Sequence, residues 1–87
     1  MTYKLAPSKQ FMKMLKTQPQ NLDKQIKKTL QLLKENPAHP SLRSKIYQSI
    51  EGVWESSVNM KYRVRWQYKE GQPYTIVLLA IGDHSIL

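Results

Sequence analysis

Two kinds of residue in this chain could do chemistry near neutral pH. The first is histidine, present only as His39 and His84. The second is a row of cations on one parity of the run Met60 to Lys69, namely Lys61, Arg63, Arg65 and Lys69. Histidine moves protons because its unperturbed pKa, about 6.5, leaves both forms populated near neutrality. Arginine presents a planar fork that can hold two phosphate oxygens at once. Such groups support proton transfer at a phosphate with no metal and no cofactor. Each also has an idle reading, because a lone loop histidine is usually a surface residue and a charged strand face is often only solvated.

The elements that must position these residues are legible in the hydrophobic pattern. Met60, Tyr62, Val64, Trp66 and Tyr68 alternate with the cations, a period of two that predicts a half-buried strand with an apolar parity in the core. Thr2 to Ala6 alternates in the same way and predicts a short first strand stopped by Pro7. Ser8 stands where an N-cap would, and Phe11, Met12 and Leu15 recur at helical spacing, predicting a helix over Ser8 to Lys16. Leu22, Ile26, Leu30 and Leu33 predict the longest helix over Pro19 to Glu35, ended by Asn36-Pro37 and carrying lysines on its outer face. His39 then sits in a loop between Pro37 and Pro40, where the prolines forbid helix. Leu42 to Ile50 reads as loop to strand and contributes Arg43 and Lys45. Val53 to Val58 predicts a strand, Asn59 a tight link, and Glu70 to Pro73 a turn. Tyr74 to Ile81 is apolar on both parities, as in a strand covered on both faces. His84 follows it directly.

The order of elements gives an α+β fold, with two N-terminal helices packed on one face of a small, mainly antiparallel sheet that ends in a three-stranded meander. Residues 1–87 are expected to form a single domain with one modest core. The absence of cysteine removes thiolate chemistry and zinc fingers and suits a reducing, cytoplasmic setting. The longest apolar run is far short of the roughly 20 residues needed to span a bilayer, and no signal-peptide pattern opens the chain, so no membrane role is expected. A net charge of +8 favours polyanionic partners.

Three stretches together resemble one family. They are Asn36-Pro37 through His39-Pro40-Ser41-Leu42-Arg43, then Val53-Trp54-Glu55-Ser56-Ser57-Val58-Asn59-Met60-Lys61-Tyr62-Arg63, and the closing Ile81-Gly82-Asp83-His84. In this order and spacing they resemble the RelE/ParE superfamily of toxins from type II toxin–antitoxin modules, and its ribonuclease (RelE/YoeB/YafQ-like) branch more closely than its gyrase-poisoning branch. The resemblance spans essentially the whole chain. It implies a toxin that cleaves messenger RNA, commonly on the ribosome, inhibits translation, and is silenced by a cognate antitoxin. It also implies functional positions at His39, Arg63 and His84. One departure is that many ribonuclease members carry an aromatic residue just beyond the last of these, whereas Ser85-Ile86-Leu87 supplies none.

Metal-free RNA cleavage needs a base for the ribose 2'-hydroxyl proton, an acid for the leaving 5'-oxygen, and fixed positive charge on the phosphate. His84 is the expected acid or base, Arg63 the phosphate clamp, and His39 a second proton-transfer group. Arg43, Lys45, Lys61 and Arg65 are expected to grip RNA, since backbone contacts tolerate loose geometry. Glu55 could act as a base or orient a cation, with structural pairing the expectation. An acidic antitoxin suits the basic surface. Two other functions remain open at this point, a ParE-like poison of DNA gyrase without chemistry of its own, and an inactive relative that binds only RNA or antitoxin.

Overall fold

The structure, a computed structural model, describes residues 2–85. The chain runs β1 (Lys4–Pro7), α1 (Lys9–Lys16), a 3-10 turn (Gln20–Leu22), α2 (Asp23–Glu35), a second 3-10 turn (Pro40–Leu42), β2 (Lys45–Ile46), β3 (Trp54–Ser57), β4 (Tyr62–Lys69) and β5 (Gln72–Asp83). The five strands form one sheet in the order β1-β5-β4-β3-β2, antiparallel throughout except where β1 lies parallel to β5. The expected α+β architecture and closing meander are therefore present.

Both helices lie on one face of the sheet, because Phe11, Leu22, Ile26 and Leu33 share a buried cluster with Val64, Trp66, Ile76, Leu78 and Ile81. The Ser8 side chain caps α1, its Oγ accepting the Phe11 amide at 3.0 Å, an interaction whose loss costs about 1 kcal/mol. Thr29 is buried on the inner face of α2, where its hydroxyl donates to the Gln25 carbonyl at 2.9 Å and so leaves no orphan polar group.

Several expectations need correction. Pro7 ends β1 from within instead of stopping the strand before it. β1 is an edge strand, so the missing amide of proline deprives no neighbour of a bond. Met60 is 84% exposed and lies outside β4. The Asn59 side chain accepts the amides of both Lys61 and Tyr62, at 2.8 and 2.9 Å, and so holds the β3–β4 link as a turn. The stretch Leu42 to Ile50 is loop and strand as expected, with Leu42 closing the second 3-10 turn and Lys45–Ile46 forming the short β2.

The apolar character of β5 on both parities has a second cause beyond burial on two faces. Val64 pairs with Ile81 and Arg65 with Ala80, but Trp66 pairs with Leu78, so the register slips at Leu79. One extra residue in a strand reverses the side-chain parity beyond it. Ile81 therefore faces the helices on one side of the bulge, and Leu78 and Ile76 face them on the other, all three nearly or wholly inaccessible.

Candidate active site

The side-chain parity of β4 divides the cations from the core. Val64 and Trp66 face the helices, so Arg63 and Arg65 face outward. Their cross-strand partners share that outer face, with Ser57 and Gly82 beside Arg63, and Glu55 and Ala80 beside Arg65. Lys45 of β2 joins them by pairing with Glu55. A cavity of about 290 Å³ opens here, lined by Arg43, Lys45, Glu55, Ser57 and Arg63. It holds three cations and one carboxylate, and that carboxylate is already committed. Arg65 Nε donates to Glu55 Oε2 at 3.1 Å, with both side chains largely buried, and the Arg65 guanidinium lies 3.8 Å over the Tyr47 ring. Glu55 is thus paired as expected. Arg65, expected as an RNA grip, spends its charge inside the protein and does not line this cavity.

Arg63 is held ready from below. One terminal nitrogen, Nη1, donates to the backbone carbonyls of Asn59 and, at 3.2 Å, Tyr62, while Gly82 opposite has no side chain to crowd the guanidinium. The Asn59 side chain also donates to Gln25 Oε1 of α2 at 2.8 Å. Asn59 thereby ties the turn that carries Arg63 to the helical layer. The sequence marks it only as a link, though an asparagine able to bond the amides two and three residues on is a turn-builder by chemistry.

His84 follows β5 directly, beside Lys61, and does not line the Arg63 cavity. Its backbone amide donates to the Lys61 carbonyl at 2.9 Å, and its Nδ1 lies 3.1 Å from the same oxygen. A carbonyl can only accept, so Nδ1 carries the proton and the neutral ring keeps its lone pair on Nε2. The ring is more than half exposed, with the Asp83 carboxylate 3.7 Å from Nδ1. The Ser85 backbone amide holds the Asp83 carboxyl below the usual carboxylate range; partial burial opposes this, and the Ser85 hydroxyl and Lys61 ammonium add to it. Lys61 Nζ lies 3.4 Å from Asp83 and remains largely exposed.

His39 stands elsewhere. Its Nδ1 accepts the Ser41 amide at 3.1 Å as the cap of the second 3-10 turn, which consumes the lone pair a base would use. It lines a different cavity, about 280 Å³, with Trp54, Trp66, Tyr68 and Arg43 among its walls. His39, Arg63 and His84 therefore do not line a common cavity. Ile86 and Leu87 lie outside the described residues. No group of three His, Cys, Asp or Glu side chains that could hold a metal ion is found among the described residues.

Arg43 joins the two cavities, lining both. Its backbone is left-handed, φ 48° and ψ 43°, and it is the only non-glycine residue with positive φ among those described. That conformation costs about 1–2 kcal/mol for an L-residue with a bulky side chain, and such strain gathers at functional sites. No local sequence signal marks it, because neither glycine nor asparagine occupies the position. The loop beside it is fixed by a directed chain of hydrogen bonds. Trp66 Nε1 donates to Ser56 Oγ at 2.8 Å, Ser56 is 2.7 Å from Ser44 Oγ, and Ser44 donates to the Pro37 carbonyl at 2.8 Å. With the Ser44 proton spent on Pro37, Ser56 must donate to Ser44, and each hydroxyl is satisfied.

No protein-family model matches the chain, and no curated protein sequence matches it. Solved structures do. The chain superposes on a chain of the DinJ-YafQ toxin–antitoxin complex of E. coli with a TM-score of 0.78 at 16% identity, covering 100% of this chain and 98% of that one. It matches the archaeal RelE-RelB complex from Pyrococcus horikoshii with a TM-score of 0.76 at 17% identity over 100% of both chains. The toxin–antitoxin complex RelBE2 from Mycobacterium tuberculosis gives 0.77 at 14% identity, over 95% of this chain and 99% of that one. Among the described residues no helix is long and apolar enough to cross a membrane. The arrangement of two helices on a β1-β5-β4-β3-β2 sheet is the RelE-like toxin fold.

Proposed function

We propose that the protein is the toxin of a type II toxin–antitoxin pair and acts as a metal-independent endoribonuclease on messenger RNA, bound at the ribosome, with an acidic antitoxin as its partner. The observation that carries this reading is the cavity where Arg43, Lys45 and Arg63 converge with one face of Glu55. Three cations there suit a phosphate whose negative charge grows during attack. Arg63 already has one nitrogen tethered by backbone carbonyls, so its remaining donors can be aimed at phosphate oxygens with little further ordering.

In the reaction the 2'-oxygen forms a bond to phosphorus as its proton leaves, and the bond from phosphorus to the 5'-oxygen breaks as that oxygen gains a proton. The products are a 2',3'-cyclic phosphate and a free 5'-hydroxyl. His84 serves as one proton-transfer group through Nε2, which its Nδ1 contact with the Lys61 carbonyl leaves free. The second proton-transfer group expected at His39 does not border the Arg63 cavity, and Glu55, which does, is paired with Arg65. Lys45, Arg43 and Lys61 grip the strand on either side. The antitoxin reading is supported by the charge of +8 and by the antitoxin complexes in which the fold neighbours are seen.

The test is to incubate the purified chain, with and without ribosomes and in the presence of a chelator, with messenger RNA, and to map the ends formed. Cyclic phosphate and 5'-hydroxyl ends that disappear in Arg63→Ala and His84→Ala are expected. Intact RNA with both partners present, alongside a DNA-damage response in expressing cells, would overturn the reading in favour of gyrase poisoning.

A further inference from the structure

The His39 cavity has no part in the chemistry above, yet it is built for a flat ring. Trp54, Trp66 and Tyr68 line it. Trp54 and Trp66 stack on each other, ring centroids 5.7 Å apart and planes 12° from parallel, and with Trp66 only 1% exposed the accessible aromatic surface is that of Trp54 and Tyr68. Tyr68 stands edge-on to Trp66 at 5.2 Å and is 41% exposed. Ala38, His39 and Arg43 also line it, and Arg43 lines the phosphate site as well. The loop wall is held in place by the Trp66–Ser56–Ser44–Pro37 hydrogen-bond chain, so the space exists before anything enters it. Its volume, about 280 Å³, falls just under the 300–1,000 Å³ of pockets that take drug-sized ligands. That size suits a single planar ring system.

We propose that this cavity takes one unpaired RNA base of a strand whose phosphate is held by Arg43, the residue that lines both cavities and so sets the spacing between base and phosphate. The inference deepens the ribonuclease reading and rests on it for the choice of RNA. Aromatic faces bind any base by stacking, and single-stranded nucleic acid is commonly held by such faces beside a cationic track. Here the cationic cavity and the aromatic one share a single residue, Arg43, whose backbone is left-handed. An apolar side chain from a protein partner could also fill the space, but it would make no use of a guanidinium shared with a phosphate site.

Trp54 and Trp66 are the only two tryptophans in the chain, so intrinsic tryptophan fluorescence reports on this cavity alone. The probes are a short oligoadenylate carrying 2'-O-methyl groups, which cannot be cleaved, and an abasic strand of equal length and charge. The expected result is quenching by the oligoadenylate and none by the abasic strand. Ala38→Phe, which fills the cavity from an exposed loop position, and Tyr68→Leu, which removes one wall, are each expected to weaken oligoadenylate binding about five- to a hundred-fold.

Equal quenching by both strands, unchanged binding in the two cavity variants, or quenching by an acidic peptide but by neither strand would each overturn the proposal. If wild-type protein quenches with the oligoadenylate but cleaves no RNA, the base site stands and the nuclease reading fails. If it cleaves RNA with no base-dependent quenching, the nuclease reading stands and the base site fails.

Discussion

Arg65 Nε and Glu55 Oε2 face each other across β4 and β3 at 3.1 Å, with the two side chains 15% and 10% exposed. The pair marks the boundary between what holds the outer face together and what is free to act on it. Removing Arg65 strands a buried carboxylate, so Arg65→Ala is expected to destabilise the fold by about 3 kcal/mol. The double variant Glu55→Leu with Arg65→Leu should recover most of that loss, because two apolar side chains leave no charge unpaired. Urea denaturation of the three proteins checks this, and equal midpoints for the wild type and Arg65→Ala would show the pair to be dispensable.

The period of two in Met60 to Lys69 is enough to locate β4 and to turn its cations outward. It cannot separate Arg63 from Arg65, since their difference lies in the cross-strand register, and register is set by the turn and by what β3 presents opposite. Met60 reads as core for the same reason. Alternation continues through it in the sequence, but the Asn59 side chain takes the two amides that a longer strand would have used. The bulge at Leu79 hides inside a run that is apolar on both parities. Arg43 carries no local mark at all, because its left-handed backbone is imposed by the 3-10 turn before it. His39 is legible as a loop residue held between two prolines, and its capping bond to Ser41 is a matter of tertiary geometry.

His84 and Lys61 are neighbours with separable roles. The ring of His84 is positioned by the backbone of Lys61, not by its side chain. Lys61→Ala should therefore preserve the rate of bound RNA cleavage, weaken binding, and lower the salt dependence by about 0.7 in the log–log slope, the loss of one phosphate contact on a single strand. His84→Ala should keep binding and its salt slope but reduce the cleavage rate about 10²- to 10⁴-fold. Single-turnover rates and binding isotherms across a salt series distinguish the two. A large rate loss in Lys61→Ala would assign chemistry to its ammonium group.

Asn59 predicts a coupled loss. Asn59→Ala removes the acceptor of two backbone amides and the bond to Gln25, and the turn so loosened carries the carbonyl that orients Arg63. A stability loss of about 1–2 kcal/mol is expected, together with slower cleavage. Gln25→Ala breaks only the bond to α2 and should cost less of both. Thermal melts paired with cleavage assays test the coupling, and full activity in a destabilised Asn59→Ala would break it.

Two groups give the stability a defined pH dependence, with opposite signs. The Asp83 carboxyl is held below its ordinary range, chiefly by the Ser85 amide. Its contribution is therefore present above the unfolded value, about pH 4, and is lost as pH falls through the lower folded value. The Tyr68 hydroxyl is pushed up, first by burial and then by the neighbouring Tyr3, whose ring centroid is 6.3 Å away. Its contribution is present below about pH 10 and is lost as pH rises through the higher folded value. Asp83→Asn should flatten the acid limb of a denaturation midpoint plotted against pH and leave the alkaline limb unchanged. Tyr68→Phe should do the reverse. If either substitution altered both limbs alike, the pH dependence would belong to the surface charge as a whole and not to these two groups.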